Sequence, residues 1–290
     1  AGEDANPWQV WDEVLTAPEA HLPKELAKHI DGTIAKSWQR LSSERRLFLE
    51  LLSRIDLSLE QAEFLAIPEE RVKAGMYEED DEFIENPYLI YEATRLTAKP
   101  VSIRTVDRGL FPSTHIQERF PIPEPSRVKT AVDARRLRAL VVRALEAASS
   151  QGDTLRPRED IITSLRKSEE NEDDGRTKVS ADLLGVAEDE LFPGVVSVVS
   201  MADGSPAYQL QRLAEVTGLI RSRLEKRIVG KRHELDVDWR AELDDYLGAI
   251  AEDAAPNEID AEGRARREKA AALAEIAAAR FSVLIGSAGT

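Results

Sequence analysis

The run Gly286-Ser287-Ala288-Gly289-Thr290 holds the residues of this chain best suited to chemistry. Small residues in succession let backbone N–H groups turn inward around a phosphate, an approach that larger side chains obstruct. A phosphate-binding loop reads G-x-x-x-x-G-K-[ST], and with Gly286 as its first glycine residues 286–290 supply the first five positions. The second glycine, the lysine and the Ser/Thr would follow Thr290, so the motif is expected to continue in a longer chain. Ahead of it, Phe281, Val283, Leu284 and Ile285 make the apolar run of a buried parallel strand. Residues 264–279 read as an Ala-rich helix with Leu273 and Ile276 three apart, so helix, strand and Gly-rich turn follow with almost no spacer.

Little else has the spacing of a reactive site. The four histidines, His21, His29, His115 and His233, show neither H-x-H nor H-x-x-x-H spacing, and no metal site is expected. Residues 286–289 do not form the G-x-S-x-G elbow of a serine hydrolase. Cysteine is absent, which excludes disulfides and thiolate metal sites and fits a cytoplasmic compartment. No apolar run approaches the roughly 18 to 20 residues of a membrane helix, and the N-terminus lacks a signal peptide's basic and apolar regions, so no membrane partner is expected. A net charge of −15 makes the chain as a whole a poor match for DNA. The charge is uneven: acidic runs occupy residues 78–85 and 169–174, while Arg135, Arg136, Arg138 and Arg143 form one basic cluster. A second comprises Arg221, Arg223, Lys226, Arg227, Lys231 and Arg232. Each basic cluster reads most simply as a solvated helix face.

The chain of 290 residues has room for two or three small domains. Residues 1–98 read as a bundle of short helices. Leu47, Phe48, Leu51, Leu52 and Ile55 recur at helical spacing over residues 43–55, and Ser58 with Gln61 is a capping-box pair that opens the next helix. Asn86-Pro87 caps another helix carrying Tyr88 and Tyr91, both read as core. Residues 99–128 contain five prolines and read as an extended connector.

Over residues 129–232 the order is helix, helix, acidic insertion at residues 168–176, and a third helix at residues 180–192. A hairpin follows, with strands near residues 195–199 and 207–211 around Asp203-Gly204. Pro157 is expected to open the second helix. Three helices and a β-hairpin are the order of a winged-helix domain, with a basic helix leaving it over residues 213–231. The third helix carries Glu188, Asp189 and Glu190, which would repel phosphates, so a spacer or a protein-contact module is expected there in place of duplex readout. Residues 233–290 add an amphipathic helix at residues 239–250, an acidic proline-bearing linker at residues 252–262 and the terminal helix–strand–loop unit.

Taken together, these parts resemble the N-terminal half of RecD-like DNA helicases, superfamily 1 motors similar to the exonuclease V alpha subunit. The resemblance rests on Glu85-Asn86-Pro87-Tyr88-Leu89, on Leu155-Arg156-Pro157-Arg158-Glu159 opening the second winged-helix helix, on the hairpin with its long exit helix, and on residues 281–290. It implies a mainly α fold: a helix-hairpin-helix-like bundle, a winged-helix-like domain and the first strand of a RecA-like P-loop domain. It implies a full-length protein that uses ATP and Mg²⁺ to translocate 5′ to 3′ on single-stranded or forked DNA. Gly286, Ser287, Ala288, Gly289 and Thr290 would begin the ATP-binding loop, and residues 1–290 would be a regulatory, DNA-engaging part without activity of its own. The chain departs from the family at two places: residues 264–279 contain no adenine-reading glutamine, Glu268 standing near its place, and Ile55-Asp56-Leu57-Ser58 lacks the glycines of a helix-hairpin-helix turn. Two other readings share parts of the pattern, a winged-helix DNA-binding or adaptor protein and a P-loop ATPase of signalling or defence type.

Overall fold

The computed structural model describes residues 8, 10–170, 179–249 and 255–286. Internal contacts divide the chain into two units, Ala1–Gln211 and Arg212–Thr290. The fold is mainly helical with one small three-stranded sheet.

Unit 1 opens with short helices α1 (Trp11–Thr16), α2 (Pro18–His21), α3 (Lys24–Ala27) and α4 (Gly32–Arg40), followed by α5 (Ser43–Ser53) and α6 (Leu59–Ala66). Local signals set these boundaries. The Ser42 hydroxyl accepts the Arg45 N–H at the start of α5. At α6 the Ser58 hydroxyl accepts the Gln61 N–H at 3.2 Å while the Gln61 carbonyl accepts the Ser58 N–H at 3.0 Å, completing the expected capping box. The apolar face of α5 buries Phe48, Leu51 and Leu52. It packs on α8 (Asp80–Glu85), which follows α7 (Pro68–Lys73), and the Phe48 and Phe83 rings stack at 5.2 Å. Arg71, 3% exposed, lies over both rings and pairs with Asp80 at 2.7 Å. Tyr88 and Tyr91, at the start of and within α9 (Leu89–Thr94), are core residues, as read from the sequence.

The stretch read as a connector is part of this core. Residues 99–128 form α10 (Ile103–Leu110) and α11 (Thr114–Arg119), and Val101, Ile103, Val106, Leu110, Ile122 and Val128 are buried. Ile103, Val106 and Leu110 share one helix face by their spacing of three and four. The prolines fall outside both helices, where they end elements without separating domains.

The second half of unit 1 runs α12 (Ala134–Ser150), β1 (Arg156–Pro157), α13 (Arg158–Glu170), α14 (Ala181–Glu190), β2 (Val196–Ser200) and β3 (Pro206–Leu210). The acidic insertion falls at the end of α13 and in residues outside those described. The sheet is antiparallel in the order β1-β3-β2, with Tyr208 facing both Arg156 and Val198 in register. Gly204, at φ +82°, makes the hairpin turn that Asp203-Gly204 announced. Pro157 lies in β1, one residue before the helix it was expected to open. Proline suits this edge strand because it donates nothing to the ladder. α12 buries Leu137, Leu140, Val141 and Leu145 among others and contacts α13, α14 and β3.

Unit 2 comprises α15 (Gln211–Ile228), a segment without regular secondary structure over residues 231–238, α16 (Trp239–Leu247) and α17 (Pro256–Ala278). α17 begins inside the acidic stretch read as a linker, because Pro256 occupies its first turn, where the missing N–H costs nothing. α16 packs on α17, and Arg266 joins them: it pairs with Asp244 at 3.0 Å and Glu262 at 2.8 Å and donates to the Gly248 carbonyl. Ala270 and Arg266 are the buried residues of this unit among those described, and α15 buries none.

Candidate functional site

Of the expected phosphate loop, Ser287, Ala288, Gly289 and Thr290 lie outside the described residues, and Gly286 is exposed. The segment before it forms no strand among the described residues. Among the described residues, residues 281–286 have no ladder partner, and Phe281, Val283, Leu284 and Ile285 are 41%, 68%, 80% and 89% exposed. A parallel strand exists only through its neighbours' hydrogen bonds, and the described chain brings no other strand alongside. Hydropathy signals what such a segment can bury, not whether a partner is present.

The first basic cluster is structural. Arg138 forms a bidentate pair with Glu92, its Nη2 2.7 Å from Oε2, and also donates to the Leu191 carbonyl. Glu92 is 3% exposed; burial raises its carboxyl above the ordinary value of 4.5, and the Arg138 guanidinium opposes that rise. Arg136 binds Asp107 through Nε and Nη2 at 2.9–3.2 Å, and the Tyr88 hydroxyl donates to the same carboxylate at 2.7 Å. Burial, then Asp107, moves the Tyr88 phenol upward, while burial pushes the Tyr91 phenol up to about 12. Arg135 pairs with Asp133 and donates to the Glu85, Pro125 and Arg127 carbonyls. These guanidiniums anchor α12 to α9, α10 and the segment after α11. They are engaged in holding the fold and are not presented to phosphates.

The third helix of the hairpin region differs in one residue from the sequence reading. Glu188 turns toward the sheet and pairs with Arg158, and the Tyr208 hydroxyl donates to it. The exposed face of α14 carries Asp182, Val186, Asp189 and Glu190. It remains acidic, with one valine at its centre.

The second basic cluster is different. On unit 2, Leu219, Ile220, Arg223, Leu224, Lys226 and Arg227 of α15 line an open cavity of about 620 Å³ with Arg280 and Phe281. Gly230, just after α15, makes room for this arrangement: a Cβ there would stand 2.6 Å from Arg280 Nη1 and 2.7 Å from its Cδ. Sequence reading found the α15 cations but not Arg280 or Phe281, because only the fold brings residue 280 back to residue 227.

Among the described residues, no group of three or more His, Asp or Glu is placed to hold a metal ion, and no helix is long and apolar enough to cross a membrane. No family model, curated protein or solved structure matches the chain.

Proposed function

We propose that this chain is the N-terminal regulatory and DNA-engaging part of an ATP-dependent, RecD-like DNA helicase. The supporting observation is the succession α12–β1–α13–α14–β2–β3, which has the order of a winged-helix domain, followed by a basic helix and, in sequence, by the opening of a phosphate loop at Gly286. In this reading ATP and Mg²⁺ belong to the full-length protein. The described part of the loop offers one glycine backbone and no side chain for a γ-phosphate or Mg²⁺. The reading requires residues 281–285 to gain parallel strand partners in the full-length protein.

The acidic face of α14 favours a protein contact for the winged-helix-like region. Asp182, Asp189 and Glu190 oppose a DNA backbone, whereas Val186, 53% exposed, gives a protein partner an apolar point of contact.

The test compares the full-length gene product with residues 1–290 for ATP hydrolysis with and without single-stranded DNA. The expected result is DNA-stimulated hydrolysis by the full-length protein and none by residues 1–290. Hydrolysis indifferent to DNA would instead support a P-loop ATPase of signalling type, and a gene lacking Gly-Lys-Ser/Thr after Thr290 would end both readings.

A further inference from the structure

We propose that the exposed face of α15 docks on the acidic face of α14 in a second copy of this chain. Residues 212–232 carry seven basic residues against two acidic ones, Glu215 and Glu225, in a chain whose net charge is −15. α15 buries none of its residues. At about 100° per residue, Val216, Leu219, Ile220, Arg223, Lys226 and Arg227 share one stripe about 120° wide, apolar in its first half and cationic in its second. Where unit 1 uses Arg135, Arg136 and Arg138, each has a carboxylate partner. Among the described residues no ion pair engages Arg223, Lys226 or Arg227. The surface that completes this stripe is therefore apolar at one end and acidic at the other.

The chain carries that complement on α14. Asp182, Val186, Asp189 and Glu190 are exposed at a spacing that places them within about 100° of one another, and no ion pair among the described residues engages the three carboxylates. With the two helices parallel and Val186 set against Ile220, Asp189 and Glu190 lie about 4.5 to 6 Å beyond the valine, and Arg223 and Arg227 about 4.5 to 10.5 Å beyond the isoleucine. The carboxylates then face the guanidiniums beside an apolar centre of Val186, Leu219 and Ile220, the makeup of a protein interface with an apolar middle and a charged rim. Two α15 faces would set cations against cations and repel. A phosphate backbone would pair with the arginines and leave the apolar half uncovered. The contact takes a different patch from each copy, and one face of a ten-residue helix makes it small, so joined and free copies exchange. It rests on the reading of α14 as a protein contact, gives that contact its partner, and requires neither the motor nor any of residues 281–285.

Sedimentation equilibrium of the 290-residue protein tests this at about 0.15 M salt, where the net charges of two copies are screened beyond about 8 Å. The apparent mass should rise with protein concentration. Asp189→Lys with Glu190→Lys should weaken self-association about tenfold or more, as should Arg223→Glu with Arg227→Glu. An equimolar mixture of the two reversed proteins should associate again, because each then meets its complement on the other. All four positions are exposed, so circular dichroism spectra of the variants should match the parent. The absence of cysteine allows a positional check: Val186→Cys and Ile220→Cys proteins, mixed with a short bismaleimide, should give a crosslinked pair that neither gives alone. A mass that stays at that of one chain, reversals without effect, or a mixture that fails to associate would overturn the proposal. Loss of association on reversing α15 but not α14 would overturn α14 as the occupant. DNA-stimulated hydrolysis by the full-length protein bears on the motor alone, so either reading can fail while the other stands.

Discussion

Arg138 is placed so that its removal strands a charge. Glu92 is 3% exposed and its carboxylate takes both hydrogen bonds from one guanidinium. Arg138→Ala should destabilise unit 1 by about 3–5 kcal/mol, because the remaining carboxylate has neither water nor a partner. Replacing both residues with leucine should recover most of the loss, and urea midpoints of the three variants check this. A cost below about 1 kcal/mol for Arg138→Ala would show that Glu92 is not held as described. The same pair sets a pH dependence. The folded carboxyl sits above its ordinary 4.5, so the native state holds the proton more tightly. Its contribution to stability is full below about pH 4.5 and is lost as pH rises through the folded value. Glu92→Gln should therefore show a urea midpoint that falls less than the parent's as pH rises above about 4.5; identical pH profiles would contradict the shift. The sequence showed these arginines as a charge cluster but not their partners. Asp107 and Glu92 lie 29 and 46 residues away, and a distant ion pair leaves no trace in local spacing.

At the scale of elements, α10 was obscured in the sequence by flanking prolines, and its packing makes a sharp prediction. A Cβ at Gly109 would stand 2.7 Å from the Arg54 carbonyl oxygen and 3.0 Å from Ile55 Cγ1. The nearer contact is backbone and cannot swing away. Gly109→Ala should thus cost about 1–3 kcal/mol by overpacking, even though alanine favours helix in isolation. Urea unfolding decides the sign: a neutral or stabilising effect would mean that α10 does not dock on the end of α5. The contrast with α6 explains which elements were legible. Ser58 and Gln61 cap α6 within one turn, so its start is written locally. β1 is two residues long, and its ladder partner lies some fifty residues on, at Ala207 and Tyr208. Helix periodicity and turn chemistry are short-range physics; edge strands and helix docking are not.

At the scale of the whole molecule, the two units differ in what holds them together. Unit 1 buries a continuous set of apolar side chains on α5, α8, α9, α10, α12 and β3, whereas unit 2 buries Ala270 and Arg266 among its described residues and leaves Val216, Leu219, Ile220 and Ile228 of α15 more than half exposed. An 18-residue helix with no buried face draws little on tertiary packing, and isolated helices of that length are marginal in water. Stability should therefore be distributed unevenly, with α15 opening by small fluctuations while α12 opens only with unit 1 as a whole. Hydrogen exchange read by mass spectrometry separates the two: amides of α12 and β3 should exchange at rates that respond to urea as global unfolding does, and those of α15 orders of magnitude faster. Protection of α15 equal to that of α12 without any ligand would mean that its apolar stripe is already covered in solution. The concentration dependence of that protection would then tell a second copy of the chain from an intramolecular contact.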